Sequence, residues 1–376
     1  DDPEKLKRAL YGAWKERHAR YVLLVGDASV LPVRYMVLDR ITPAAFDYAF
    51  YPSDLYYADV AKPDGSFDDW NACKEGFHAG YYGEVRGEKN KADPINFDHV
   101  DYCPELAVGR WPVNSSGQLR TIAAKTIAPR RRLRAMPTEG RLAAFVAVGG
   151  WVDSRAEMDR MAAFFPSNWA IEKRYDSPDR KQTTARPPDE PELLGLLNGG
   201  VDLMFHAGHG TDTCWERCLF MNHLGHVHNA SRLPVMISAG CSTARFATLP
   251  PYEGYLDVHG VEHKGTDRGE VFKAPPPPPS PYQTGRFNPP GLGKQLLVAG
   301  PDGAVAYIGC NTGSQPCGRT LLEGFAKAWG QGKESRLGDY WAEAVRYYFE
   351  KERLSHLKPT ADWYPPSVFF QGMKFM

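Results

Sequence analysis

No charge of one sign predominates in this chain of 376 residues: lysine and arginine together number 45, and so do aspartate and glutamate. A balanced chain projects no long-range field, so neither nucleic acid nor an anionic membrane surface is an expected partner. Long hydrophobic runs are missing too. The most apolar stretch, residues 142–152, falls far short of the roughly 20 apolar residues that span a bilayer, and no membrane insertion is expected. Cysteine is scarce: 7 residues, an odd number that leaves at least one thiol unpaired and argues against a disulfide scaffold, although the pairs Cys214/Cys218 and Cys310/Cys317 stay open. Neither C-x2-C nor H-E-x-x-H occurs, and no strand-like run leads into G-x-G-x-x-G, so familiar zinc and dinucleotide motifs are absent. No repeat of solenoid type is found. The opening Asp1-Asp2-Pro3-Glu4 has neither the basic nor the apolar region of a signal peptide.

What is present suits a globular protein with a substantial core: 43% apolar, 12% aromatic and 24% charged residues. The length allows one large α/β unit or two to three modules of roughly 100 to 200 residues. Asp2-Pro3 reads as the cap and first turn of a helix in which Leu6, Leu10, Ala13 and Trp14 recur at helical spacing up to His18. Tyr21-Val-Leu-Leu-Val-Gly26 follows as a strand stopped by glycine. Similar runs at 105–109, 142–149, 201–207, 234–240 and 304–309 read as further buried strands. Helix-like segments at 115–132, 155–165, 190–197 and 318–329 lie between several of them, and the alternation predicts a doubly wound, mostly parallel α/β sheet. Two stretches break the rhythm and read as surface loops: 62–101, and 251–290 with its run Pro275 to Pro279, a spacer or, on a sharper reading, an SH3-type ligand. The basic, turn-forming segment 130–140 reads as a junction.

Two strand ends carry the chemistry. Leu203-Met-Phe-His-Ala-Gly-His209-Gly210 runs an apolar strand into a histidine between glycines, and Pro234-Val-Met-Ile-Ser-Ala-Gly-Cys241 delivers a cysteine in the same way. Reactive groups of an open parallel sheet gather beyond the carboxyl ends of its strands, so both would face one cleft if these strands are neighbours. A thiolate is a nucleophile, and a nearby imidazole can favour it or protonate the leaving amine. Gly208, Gly210 and Gly240 would let a substrate backbone approach, with the Gly210 and Cys241 N–H groups as an oxyanion hole. The bland alternatives are an inert buried cysteine and a histidine that caps a turn.

These strand ends, together with Tyr21-Val-Leu-Leu-Val-Gly26-Asp27 and Leu31-Pro32, Pro52-Ser53-Asp54-Leu55-Tyr56-Tyr57, Leu106-Ala-Val-Gly109-Arg110, Asn198-Gly199-Gly200 and Gly303-Ala-Val-Ala-Tyr-Ile-Gly309, occur in the order of a known family. The chain resembles the gingipain-type cysteine peptidases, in the clan that also holds caspases, legumain and separase. The resemblance implies a caspase-like fold of two α/β subdomains: residues 1–132, carrying the 62–101 insertion, and a catalytic subdomain 133–376, carrying the proline-rich loop 251–290. It implies a Cys241/His209 dyad that hydrolyses peptide bonds through a thioester, with protein or peptide substrates, an exported location and no cofactor for the chemistry. It further implies a strand and helix before Asp1, and a strand and an immunoglobulin-like domain after Met376. An acidic residue orients the histidine in relatives, and Asp153 is the nearest counterpart, Glu157 the next; a plain helix N-cap is the alternative for Asp153. The wall after Ile308 lacks the aromatic residue expected of a pocket for arginine or lysine, which leaves basic specificity open.

Relatives bind calcium, and the loop around Asp69, Asn71 and Glu84 has alternating oxygen ligands, but Cys73 stands where an EF-type loop needs oxygen and the glutamate is misplaced; a solvated acidic loop is the alternative. His206, His209, Cys214, Cys218, His223, His226 and His228 form a dense group of soft ligands at intervals that suit no familiar zinc pattern. Two further functions compete: a catalytically silent adhesion or scaffold module of the same fold, and an intracellular CHAT-type caspase-like peptidase, whose nucleophile strand also reads Ser-Ala-Cys.

Overall fold

Asp2 accepts a hydrogen bond from the Glu4 N–H and proline fills the first turn, so the first helix, α1 (Pro3–Arg17), starts where its cap predicts. In chain order there follow β1 (Tyr21–Val25), β2 (Tyr35–Val37), β3 (Phe50–Pro52), α2 (Leu55–Ala58), β4 (Ala107–Trp111), α3 (Ser116–Leu133), β5 (Arg141–Ala147), α4 (Arg155–Ala162), β6 (Trp169–Tyr175) and α5 (Glu190–Gly199). Then come β7 (Leu203–Ala207), β8 (Cys214–Trp215), β9 (Leu219–Phe220), β10 (Val235–Ser238), β11 (Tyr255–Leu256), β12 (Glu262–His263), α6 (Leu292–Val298), β13 (Ala306–Gly309), α7 (Arg319–Gln331), α8 (Leu337–Lys351) and α9 (Tyr364–Lys374). This computed structural model describes residues 2–38, 49–70, 99–133, 140–176, 185–332, 336–358 and 364–376. Among the described residues no helix is long and apolar enough to cross a membrane.

The chain forms two compact units. Asp1–Trp111, Phe246–Pro289 and Leu337–Met376 make the first; Pro112–Arg245 and Pro290–Arg336 make the second. The boundary expected near Arg132 therefore falls inside the second unit, within α3. That helix belongs there because the buried Lys125 ammonium donates to the carbonyls of Leu296, Leu297 and Asp302 at the C-terminal end of α6. The segments 251–289 and 337–376, expected in the catalytic subdomain, belong to the first unit.

In the first unit β1 pairs parallel with β4, and β2 antiparallel with β3. The Arg110 guanidinium grips the Asp54 carboxylate with two 2.8 Å hydrogen bonds and donates to the Gly26 carbonyl at 2.9 Å, which accounts for arginine and aspartate in two of the motif stretches. The proline run is neither a spacer nor a displayed ligand. Its carbonyls accept from the Tyr255 hydroxyl at Pro277 and the Val258 N–H at Pro278, so it lies along the β11–β12 hairpin.

The second unit holds the five-stranded sheet, in the order β13-β10-β7-β5-β6, with every neighbouring pair parallel. Counted along the chain from the β6 edge this is second–first–third–fourth–fifth, a doubly wound order whose switch point lies between β5 and β7. The central strands are buried on both faces, as their unbroken apolar runs require. Ala144, Val146, Met204 and Met236 pack toward Leu193 and Leu197 of α5 and Leu292 and Leu296 of α6. On alternate positions Phe145 stacks on Phe205 at 5.0 Å, with Phe325 of α7 against the latter. The expected α/β architecture stands, and β6 joins its five-stranded sheet as a strand the sequence reading did not place. β6 reads Trp-Ala-Ile-Glu-Lys-Arg-Tyr, with charges mid-strand, because it forms a sheet edge, where charge blocks further pairing.

Candidate active site

β7 and β10 are neighbours, with Ser238 opposite His206, so the residues that leave these strands emerge side by side. His209 follows β7 and Cys241 follows β10, both partly exposed at the carboxyl edge of the sheet. Two glycines bring the strand ends together. A methyl group on Gly210 would lie 2.5 Å from Cγ2 of Thr243 and 3.1 Å from the Cys241 carbonyl oxygen, and one on Gly240 would lie 3.2 Å from Cα of Gly210. Their expected role was room for substrate; here they give room for each other.

The two side chains make separate hydrogen bonds. Cys241 Sγ accepts from the Ser314 N–H at 3.3 Å and lies 3.8 Å from the Ser314 carbonyl, on the loop that leaves β13. His209 Nε2 lies 3.0 Å from the carbonyl oxygen of Gly150, in the loop that leaves β5. This bond spans the switch point of the sheet, where open α/β folds bind their ligands. Gly150 can present its carbonyl there because its φ of +99° suits glycine alone.

Two amides are poised for an anion. Gly210 bridges Trp215 in the manner that assigns the hydrogen bonds to its neighbours: the Thr211 N–H donates to Cys214 and the Glu216 N–H to the His209 carbonyl. The Gly240 N–H goes to Ser238 Oγ and the Ser242 N–H to the Thr312 carbonyl. Among the described residues the N–H groups of Gly210 and Cys241 donate to no protein acceptor, as an oxyanion hole requires. Ser242, next to Cys241, sits at φ +56°, a costly conformation for a side-chain-bearing residue at a sharp turn.

Asp153 does not join His209. Its carboxylate accepts from the Arg155 backbone N–H at 3.1 Å and from the Arg155 guanidinium at 2.9 and 2.7 Å, and these bonds hold it low, at about 2. This exposed carboxylate therefore acts at the start of α4. Glu157 is likewise engaged, 3.1 Å from the Arg319 guanidinium. The group that meets the imidazole is a backbone carbonyl, for which a sequence carries no signal. Asp153→Asn should accordingly leave kcat within about twofold of wild type in a peptide assay, the size expected of an exposed surface pair.

Of the expected calcium ligands, Asn71 and Glu84 lie outside the described residues, and Asp69 sits half-buried beside Trp70. Among the described residues no group of three histidine, cysteine or acidic side chains converges on a metal-sized position, so the zinc reading finds no donor set there. The soft ligands disperse. The His223 ring meets the Glu190 carboxylate, Cys214 and Cys218 are buried unbridged thiols, and His206 is wholly enclosed.

Burial drives the pKa of His206 down to about 3. The folded protein thus refuses a proton that the unfolded chain accepts near 6.5, so this contribution to stability is intact above that pH and is lost as pH falls toward 3. Urea unfolding between pH 7 and pH 4 should show wild-type stability falling more steeply than that of His206→Phe.

The family model of peptidase family C25 matches residues 1–263, a span that includes both His209 and Cys241. Among solved structures the chain is similar to the Arg-specific cysteine proteinase gingipain R (RgpB), with TM-score 0.60 and 16% identity over 98% of this chain and 66% of that one. It is similar also to the complex of Porphyromonas gingivalis RgpB pro- and mature domains, with TM-score 0.57 and 15% identity over 98% and 67%. A third, described as the structure of a protease, gives TM-score 0.55 and 13% identity over 99% and 66%. The chain thus spans about two-thirds of the length of these structures, and at such identities the likeness is one of fold. No curated protein sequence matches.

Proposed function

Because this chain belongs to peptidase family C25, we propose that it is a cysteine endopeptidase, with Cys241 as nucleophile and His209 as general acid and base. The observation that carries the reading is the placement of these two residues just beyond neighbouring strand ends, beside two amides that among the described residues donate to no protein acceptor. Cys241 Sγ attacks the substrate carbonyl, its proton passing to His209, and the carbonyl oxygen takes up negative charge between the Gly210 and Cys241 N–H groups. The C–N bond then breaks as His209 returns the proton to the amine, leaving a thioester. Water, deprotonated by His209, attacks the thioester and releases the acid and the free thiol. The Gly150 carbonyl holds the imidazole by Nε2 in the resting site, and a catalytic hydrogen bond to sulfur forms once substrate is bound, as is common when a site is empty.

Substrates on this reading are proteins or peptides, and an exported location accords with the family. A structural calcium ion held by Asp69, Asn71 and Glu84 is a separate proposal and takes no part in the chemistry. A cleavage-site profile from a degenerate peptide pool, taken with and without calcium, tests activity, specificity and metal dependence together. If no peptide is cut, and iodoacetamide modifies Cys241 no faster than the exposed Cys103, the silent-scaffold reading replaces this one.

A further inference from the structure

Below the two strand ends lies a buried polar cluster that the proposed chemistry does not use. His206, on β7, is fully buried and stacks flat on Trp215, with ring centroids 4.3 Å apart and planes 4° apart. Its Nδ1 lies 2.9 Å from Ser238 Oγ, on β10. Ser238 Oγ also accepts the Gly240 N–H at 3.1 Å. On the other side of the same residue, Thr243 Oγ1 donates to the Gly240 carbonyl at 3.2 Å. The Trp215 indole N–H donates to the Tyr307 hydroxyl at 2.8 Å.

Among the described residues His206 Nε2 has no hydrogen-bond partner. A buried bare lone pair costs less than a buried orphan N–H, which places the proton on Nδ1, donating to Ser238. Ser238 Oγ accepts from His206 and from Gly240, and Thr243 Oγ1 donates to the Gly240 carbonyl. Gly240 is thereby held at both its N–H and its C=O.

The consequence for chemistry follows from the planar peptide bond. The Gly240 carbonyl and the Cys241 N–H belong to one rigid unit and point in opposite directions, so whatever holds the carbonyl aims the N–H. Gly240, without a side chain, has the widest choice of φ and ψ and the most need of being held. Trp215, which stacks on His206, is in turn the bridge partner of Gly210, the second amide donor. Both donors thus rest on elements that meet at one imidazole.

We propose that His206 is a positioning residue of this site: through Ser238 it locks the Gly240 peptide and, with Trp215, sets the two oxyanion donors. The proposal rests on the peptidase reading above. Donors that act on the transition state should change kcat and spare KM. The loss should fall below the 100- to 1000-fold cost of deleting a donor outright, because the amide remains and only its aim is freed.

The test compares wild type with His206→Phe, His206→Asn and Ser238→Ala in the full chain, using the best peptide from the degenerate pool. Ser238→Ala removes one hydroxyl and serves if the larger substitution fails to fold. His206→Asn offers an amide N–H close to the position of Nδ1. Expected are a fall in kcat of about 10- to 100-fold in His206→Phe and Ser238→Ala with KM within about twofold, recovery of most of the rate in His206→Asn, and a double variant His206→Phe/Ser238→Ala no worse than either single one. Amide exchange over residues 236–245 should accelerate in the two damaging variants and not in His206→Asn. Wild-type kcat in Ser238→Ala, equal losses in His206→Phe and His206→Asn, or additive losses in the double variant would each overturn the proposal. Should wild type cut no peptide, the peptidase reading falls; the exchange measurement still decides the positioning role, and unchanged exchange in Ser238→Ala sinks it.

Discussion

Replacing Cys241 with alanine is expected to lower peptide hydrolysis by on the order of 10^4- to 10^6-fold, the range lost when a covalent nucleophile is deleted while the rest of a site stands. The fold should survive the change. Sγ is only partly buried, and its contacts are the N–H and carbonyl of Ser314, weak sulfur hydrogen bonds whose loss costs little stability. Unfolding midpoints of the two proteins should therefore agree while their rates diverge. Peptide binding should also persist, because the amide donors and the loops of the site remain. A thiol-directed peptidyl inhibitor should label wild type at one cysteine and leave Cys241→Ala unlabelled, even though Cys103 is exposed. Near-wild-type turnover in the variant would assign the chemistry to another residue.

The second large effect concerns His209. His209→Ala should cost about 10^2- to 10^4-fold in kcat, the usual worth of a positioned acid and base, and the cost should depend on the leaving group. An amine is a poor leaving group unless protonated, whereas the alkoxide or phenolate of an activated ester departs without help. Amide cleavage should consequently fall much further than ester cleavage in this variant. In a Cys241→Ala protein both substrates should fail together. Equal losses for ester and amide would remove the general-acid role from His209. Because the imidazole is held by a backbone carbonyl, no single side chain upstream of it should reproduce this loss.

How much of this was legible in the residues follows from what each feature depends on. Strand ends are written locally: an apolar run, then glycine, then a reactive side chain, as at His209 and Cys241. Six strands could be located this way, along with the helices between them. β6 escaped because its central charges belong to an edge strand, and edge position is a property of the sheet, not of the segment. Asp153 was a reasonable partner for the histidine by charge and by position. The site instead uses the Gly150 carbonyl, and every residue has a carbonyl, so nothing in the sequence marks that one. The histidine-rich stretch looked like metal ligands by composition. Its members separate because alternate residues of a strand face opposite ways, and His206 points into the core to Ser238 while His209 lies beyond the strand.

By itself the sequence determined the α/β class and the strands that end in His209 and Cys241, the two residues proposed to act together, because hydrophobic period, glycine placement and side-chain chemistry are local properties. Only the tertiary structure decided that β7 and β10 lie side by side, that the chain passes repeatedly between two units, that a carbonyl serves His209, and that His206 lies beneath the amide donors. Strand order and backbone aim arise from contacts between segments distant in the chain. No residue type encodes them alone.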